Sequence, residues 1–395
     1  MSQFPKPIVD EAQGSLSASL PGSPPVSETV PVLRPRLPSA DRLLPYLRRI
    51  DATRTYSNHG PLVLEFEERL AKHLRLGPRS VVATSSGTAA LVGAILAVAG
   101  RPTGKRRYAV VPAYTFVATP IAVEQCGYSP YLADIDPLTW MLDPAAIPAH
   151  PERDLIGLVV PVSPFGRPVP LEPWLRFRDV TGIPVVIDAA ASFEGISDAP
   201  ARLLGDIPIA LSFHATKSFA TGEGGGVVTS NSALAERVVQ ALNFGFYGSR
   251  DSQLASTNGK MSEYHAAVGL AELDAWDDKR MALEAVAQRY RQRLGEAGLA
   301  DRFFGAPEIA GCYCLFWCKD RNEAARVQVS LERHRIDFRL WYGAGVHRHT
   351  YFAEAIRQPL EVTGATAPCI LGLPVAPDLS ETAITRVAAA LAAAF

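Results

Sequence analysis

The sequence predicts an α/β fold: a mostly parallel central sheet with helices on both faces, followed by a smaller α+β C-terminal domain. Three observations lead there. Between residues 80 and 230, short apolar, β-branched runs alternate with helical stretches, the pattern of a sheet buried on both faces. After residue 260 the text changes to long helical stretches and then to mixed strand and helix. The length, 395 residues, suits two or three domains. Apolar residues are 48% and charged residues 20%, which excludes wholesale disorder, collagen and coiled coil.

The elements follow in order. Residues 1–40 hold eight of the 32 prolines, with serine and glycine between them, and are expected to form a flexible arm. A large domain is expected over 41–275. It opens with a helical pattern in DRLLPYLRRI (41–50), the turn-like SNHGP (57–61) and LVLEFEERLAKHL (62–74), whose apolar positions recur at helical spacing. The predicted strands are SVVAT (80–84), YAVVP (108–112), IGLVVPV (156–162), IPVVID (183–188), PIALSF (208–213) and GGVVTS (225–230). Beyond 260, SEYHAAVGLAELDAWDDKRMALEAVAQRYRQRLGEAG reads as one long helix or a pair. A small domain over 276–395 should contain strands CYCLFWC (312–318) and IDFRLWY (336–342), a helix near 323–334 and a closing helix ETAITRVAAALAAAF.

Lysine plus arginine is 39 and aspartate plus glutamate is 40, for a net charge of -1. A general nucleic-acid binder needs a basic surplus, so that class is set aside. Five cysteines in this length make no disulfide scaffold and suit a reducing compartment. Cys312, Cys314 and Cys318 do not match a zinc spacing, and no metal site is expected. The opening residues lack a signal-peptide core, and the longest apolar stretch, AALVGAILAVAG (89–100), is too short to span a bilayer. A cytoplasmic protein without membrane contact is the expectation.

Ligands of such sheets bind outside the carboxyl ends of the strands. SVVAT runs into Ser86, Gly87 and Thr88 at a helix start, which suits either a phosphate or a plain N-cap. IPVVID ends in Asp188, a carboxylate that is costly to bury unpaired or else caps the next helix. PIALSF ends in Ser212, and Lys217 follows before the glycine-rich GEGGG. A lysine beside a buried strand end can be tuned into a Schiff-base nucleophile; most loop lysines are simply exposed. Gly222 and Gly224 fit part of a dinucleotide fingerprint, but Val227 breaks it and a strand follows. Together, an aspartate 29 residues before a lysine, a phosphate-ready helix start and Phe116 just beyond a strand make the set that pyridoxal phosphate needs.

These stretches resemble the DegT/DnrJ/StrS sugar aminotransferases, within the aspartate-aminotransferase group (fold type I) of pyridoxal-phosphate enzymes. The match runs from about Leu33 to the C-terminus through SNHGP, SSGTAAL, VPAYTFVAT, ADIDPLTWMLDP, PFGRPVPLEPW, VVIDAAASFEG, SFHATKSFATGEGGGVVT, NGKMSEYHAAVGLAELD and LGLPVAPDLS. The resemblance implies that Lys217 binds the cofactor aldehyde and shuttles protons. It implies that Asp188 pairs with the pyridine nitrogen, that Phe116 stacks on the ring, and that Gly87, Thr88 and Ser212 bind the phosphate. Asn258 matches an asparagine that reaches the phosphate from the neighbouring subunit, which implies a homodimer with shared sites. The implied reaction moves an amino group, usually from glutamate, to a nucleotide-linked keto sugar. The sequence departs from the family where Ala191 replaces a glutamine or histidine near the phenolic oxygen, and where Lys260 replaces an arginine. Two alternatives stay open: a non-transaminating reaction on the same fold, such as sugar dehydration, and a cofactor-binding regulatory protein.

Overall fold

The computed structural model describes residues 28–147, 150 and 152–395. Seven strands form the sheet of the large domain: β1 (Val81–Thr84), β2 (Tyr108–Pro112), β3 (Ser129–Ala133), β4 (Ile156–Val159), β5 (Ile187–Asp188), β6 (Ile209–Ser212) and β7 (Gly225–Val228). Regular pairing gives the orders β3-β2-β4 and β1-β7-β6-β5. Parallel bridges Val159–Val185 and Val162–Asp188 join the two parts into one sheet. Only β7 runs antiparallel to its neighbours.

Side-chain alternation explains the apolar runs. Val81, Ala83, Tyr108, Val110, Ile187, Ile209 and Leu211 face one core, with Leu62, Phe66, Leu70, Trp174, Phe177 and Leu270. Val82, Ala109, Val111, Val186 and Ala210 face the other, with Leu91, Ile95, Val123, Val238 and Leu242. A strand covered on both faces has no polar side to show, so it reads as continuous hydrophobic text. The sequence reading missed β3. SPYLA lacks a β-branched residue, and Pro130 argues against a strand, although a Pro is tolerated at a sheet edge and β3 lies at the edge.

The helices Pro61–His73 and Gly87–Val98 begin where turn and cap residues predicted. The long text after 260 is a pair, Glu263–Asp274 and Trp276–Glu296. The second helix joins two cores. Trp276 packs with the large domain, whereas Leu283, Val286, Tyr290 and Leu294 belong to the core of the C-terminal part. That part has an antiparallel sheet of β8 (Phe303–Phe304), β9 (Cys314–Trp317) and β10 (Ile370–Leu373), in the order β10-β9-β8. Helices Arg321–Arg333 and Glu381–Ala392 cover it. Residues 336–342, expected as a strand, make only single bridges, Val30–Ile336 and Arg339–Gly372.

Of the arm expected over 1–40, residues 1–27 lie outside the described residues. Residues 30–33 are not loose chain: Val30 and Val32 are buried, and Val30 N donates to Arg335 O at 3.0 Å while Val375 N donates to Val32 O at 3.1 Å. Two apolar side chains at alternate positions supply the burial that the proline-rich composition concealed. All five cysteines are free and buried. Among the described residues no helix is long and apolar enough to cross a membrane.

Candidate active site

The carboxyl ends of β1, β5 and β6 meet at one place. β5 and β6 are parallel neighbours, with Asp188 opposite Ala210. Two residues past that register Ser212 closes β6, and its N–H donates to Ala190 O at 3.2 Å. The helix Gly87–Val98 starts against this strand end. Ser86 caps it, accepting from Ala89 N at 3.1 Å. A Cβ on Gly87 would stand 2.7 Å from Ser212 Cβ, so only glycine lets the helix start approach the serine this closely. On the other side, a Cβ on Gly225 would meet Ser86 O at 2.6 Å. Gly225, in the middle of the GGG run, is therefore a packing requirement of β7 against the helix start. Thr88 follows in the first turn, partly exposed. Free N–H groups, a positive helix end and the Ser212 hydroxyl thus share one small region.

Asp188 is 5% exposed. Burial pushes its pKa upward, against the pull of two donors and of the nearby Lys217. Thr119 Oγ1 donates to Oδ2 at 2.7 Å and Ala190 N donates to Oδ1 at 3.1 Å. Thr115 and Thr119 hydroxyls lie 2.9 Å apart and extend the chain. Both threonines flank Phe116, which follows β2 and is 59% exposed, an unusual state for a phenylalanine inside such a motif.

Lys217 lies on the loop between β6 and β7, half-buried. Its N–H donates to His214 O at 2.8 Å, and its Nζ donates to the Tyr313 hydroxyl at 3.0 Å. Tyr313 comes from the C-terminal part, so the lysine sits at the seam between the two cores. Around the seam, Tyr313 contacts Phe165 and Trp341 edge-on, and Phe165 stacks on Tyr342 at 4.6 Å. Ala191 belongs to this aromatic cluster.

Asn258 lies apart from these side chains. It is exposed, and its Oδ1 accepts from Lys260 Nζ at 2.7 Å. Its segment nonetheless runs beside the end of β1, where Ser85 N donates to Gly259 O at 2.8 Å. The structure therefore brings Gly87, Thr88, Asp188, Ser212 and Lys217 together with Phe116 nearby, and leaves Asn258 on the surface. Sequence reading missed Thr119 and Tyr313. Thr119 carried a weak signal, three residues past Phe116 in AYTFVAT; Tyr313 carried none, because CYCLFWC reads as an apolar strand.

A lysine at a domain seam, a buried carboxylate, a glycine-opened helix start with a serine beside it, and an exposed aromatic face fit pyridoxal phosphate. The sheet order and this site define a fold type I pyridoxal-phosphate enzyme. Residues 39–392 match the DegT/DnrJ/EryC1/StrS aminotransferase family, and the chain belongs to it. It is an aminotransferase, and its cofactor is pyridoxal phosphate. Protein Rv3402c of Mycobacterium tuberculosis is 34% identical over 375 residues, covering 92% of this chain and 89% of that protein. A dTDP-4-amino-4,6-dideoxy-D-glucose transaminase of Shigella dysenteriae is 33% identical over 267 residues, covering 67% of this chain and 70% of the enzyme. The crystal structure of DesI in the presence of its TDP-sugar product superposes with a TM-score of 0.79 at 31% identity, covering 92% of each chain.

Proposed function

We propose that this protein transfers an amino group, with glutamate as donor, to a keto sugar carried on a nucleotide. The observation that carries the reading is the half-buried Lys217 at the seam beside the buried, doubly hydrogen-bonded Asp188. The sugar is supported by the similar proteins, among them the Shigella dysenteriae transaminase and DesI with its TDP-sugar product.

Pyridoxal phosphate, when bound, supplies an aldehyde that captures amines and a ring that takes up an electron pair. The rest falls to the chain. Gly87 and Thr88 N–H groups with the Ser212 hydroxyl hold the phosphate. Asp188, oriented by hydrogen bonds from Thr119 and Ala190, would pair with the ring nitrogen and hold a proton there. Phe116 covers one ring face. Lys217 takes a proton at Nζ from the donor's α-carbon and returns one at a neighbouring carbon, and the same amine serves both half-reactions. Asn258 reaches the phosphate of a second copy, which makes the working unit a homodimer with shared sites. Lys217 favours transamination over dehydration, since the family resemblance implies that members which dehydrate typically have a histidine at that position.

The test is the donor half-reaction. Addition of glutamate to the purified holoprotein should abolish the visible cofactor absorbance, and a thymidine-diphosphate-linked keto sugar should restore it with formation of the amino sugar. Absorbance that ignores glutamate and every other amino acid would sink the transaminase reading.

A further inference from the structure

The amine of Lys217 has one side-chain partner among the described residues, the hydroxyl of Tyr313 at 3.0 Å. Tyr313 is a poor choice for a merely solvating contact. Its side chain is 7% exposed, and its hydroxyl makes no other hydrogen bond among the described residues. The ring is fixed edge-on by Phe165 at 5.5 Å and by Trp341 at 5.3 Å, so the hydroxyl is held in place rather than free to swing. A buried phenol has given up water, and one bond to a half-buried amine leaves its oxygen with unused hydrogen-bonding capacity.

The chemistry of the cofactor supplies a use for that capacity. Pyridoxal phosphate carries its phenolic oxygen on the ring carbon next to the one that bears the aldehyde. A hydroxyl in contact with the amine that takes the aldehyde is therefore within reach of that oxygen. Of the other polar side chains at the seam, Asp188 is engaged by Thr119 and Ala190, and the Tyr342 oxygen accepts from Phe165 N at 3.1 Å. The Trp341 Nε1 is buried without a partner among the described residues, but of the donors at the seam only the Tyr313 hydroxyl contacts the Lys217 amine. Position 191, three residues past Asp188 and in the same cluster as Tyr313, is an alanine without a polar atom to offer.

We propose that Tyr313 is a positioning residue of the reaction, whose hydroxyl holds the cofactor's phenolic oxygen and keeps the Lys217 amine aimed, in place of any side chain at position 191. The inference rests on the cofactor and lysine assignments above. The ionisable groups that face Tyr313 and Lys217 are Asp188 at the end of β5, Glu194 on the helix Phe193–Asp198, Cys312 ahead of β9 and Tyr342. All stay in place when only the hydroxyl is removed.

Tyr313→Phe keeps the ring and its contacts and isolates that hydroxyl. A hydrogen bond to an anionic oxygen favours the form in which the neighbouring imine nitrogen has lost its proton. Losing it should raise the pH midpoint of the holoprotein's visible absorbance change by about one to two pH units. Adding Ala191→Gln to Tyr313→Phe should return the midpoint toward that of the unaltered protein. An unshifted midpoint in Tyr313→Phe with cofactor bound overturns the proposal. If Tyr313→Phe does not fold, Ala191→Gln alone decides. Tyr313 already serves the oxygen, so the midpoint should stay within about 0.3 pH units, well below the effect of a hydrogen bond to a charged group. A fall of a unit or more would show that the oxygen had no donor and would overturn the proposal. Failure of the underlying reading looks different: the unaltered protein would then show no visible cofactor band at all.

Discussion

Asp188 shows how a single side chain is set against its surroundings. Burial disfavours its charge, and the Thr119 hydroxyl, the Ala190 N–H and Lys217 favour it. A cationic ring nitrogen placed against it would complete the pairing. Asp188→Asn keeps the size and removes the charge. We expect cofactor occupancy to hold while turnover falls by about 10²–10⁴-fold, the range for losing a group that controls a proton. Absorbance per protomer and kcat measure the two separately, and equal kcat would make Asp188 only a structural cap. Asp188 was legible as a polar residue ending an apolar strand, and Lys217 as a lysine shortly beyond one, ahead of the glycine-rich GEGGG. Thr119 and Tyr313 were not, because their partners lie 69 and 96 residues away in sequence. No local pattern marks a threonine or tyrosine whose meaning comes from across the fold.

At the scale of elements, carboxylates tie helices to one another and to the sheet. Glu263 accepts from Leu62 N at 2.9 Å and Val63 N at 2.8 Å, capping the helix Pro61–His73 from 200 residues away. This explains why the SNHGP and NGKMSE stretches occur together: the glycine at 60 leaves room for the carboxylate, since a Cβ there would stand 2.7 Å from Glu263 Cδ. One turn further along the same helix, Glu67 accepts from Ala83 N of β1 at 2.8 Å, but burial pushes its pKa up from 4.5 to about 7. The folded protein therefore holds a proton between those values that the unfolded chain releases, and stability from this group falls as pH rises through that window. Glu67→Gln keeps the acceptor and removes the penalty. Its Tm should exceed that of the unaltered protein at pH 8, with a ceiling of ~3 kcal/mol in stability, and match it near pH 5. A gain that is the same at both pH values would contradict this origin. Most helices and six of the seven large-domain strands could be read from periodicity, whereas β3 and the bridged segment 336–342 could not. An edge strand and a strand-like run that finds few partners both depend on neighbours rather than on their own residues.

Over the whole molecule, the change of pattern after residue 260 marked the pair of long helices, but the seam between the cores could not be read. The helix Trp276–Glu296 belongs to both cores, and Lys217 meets Tyr313 across the seam. The proposed dimer adds a second seam. Asn258 is exposed and its segment lies beside the end of β1 in its own chain, so own-site and partner-site roles make opposite forecasts. Mixing Lys217→Ala with Asn258→Ala protein should partly restore activity if the site is shared, because one site of each mixed dimer then carries neither defect. Mixed dimers that form and stay inactive would assign Asn258 to its own chain. The central claim is that Lys217 is the amine that holds the cofactor. Borohydride reduction of the holoprotein, which locks the cofactor onto that amine, followed by mass mapping of peptides, tests it most directly. The phosphopyridoxyl mass should appear on the peptide that contains Lys217, and its appearance on another lysine with Lys217 unmodified would contradict the account.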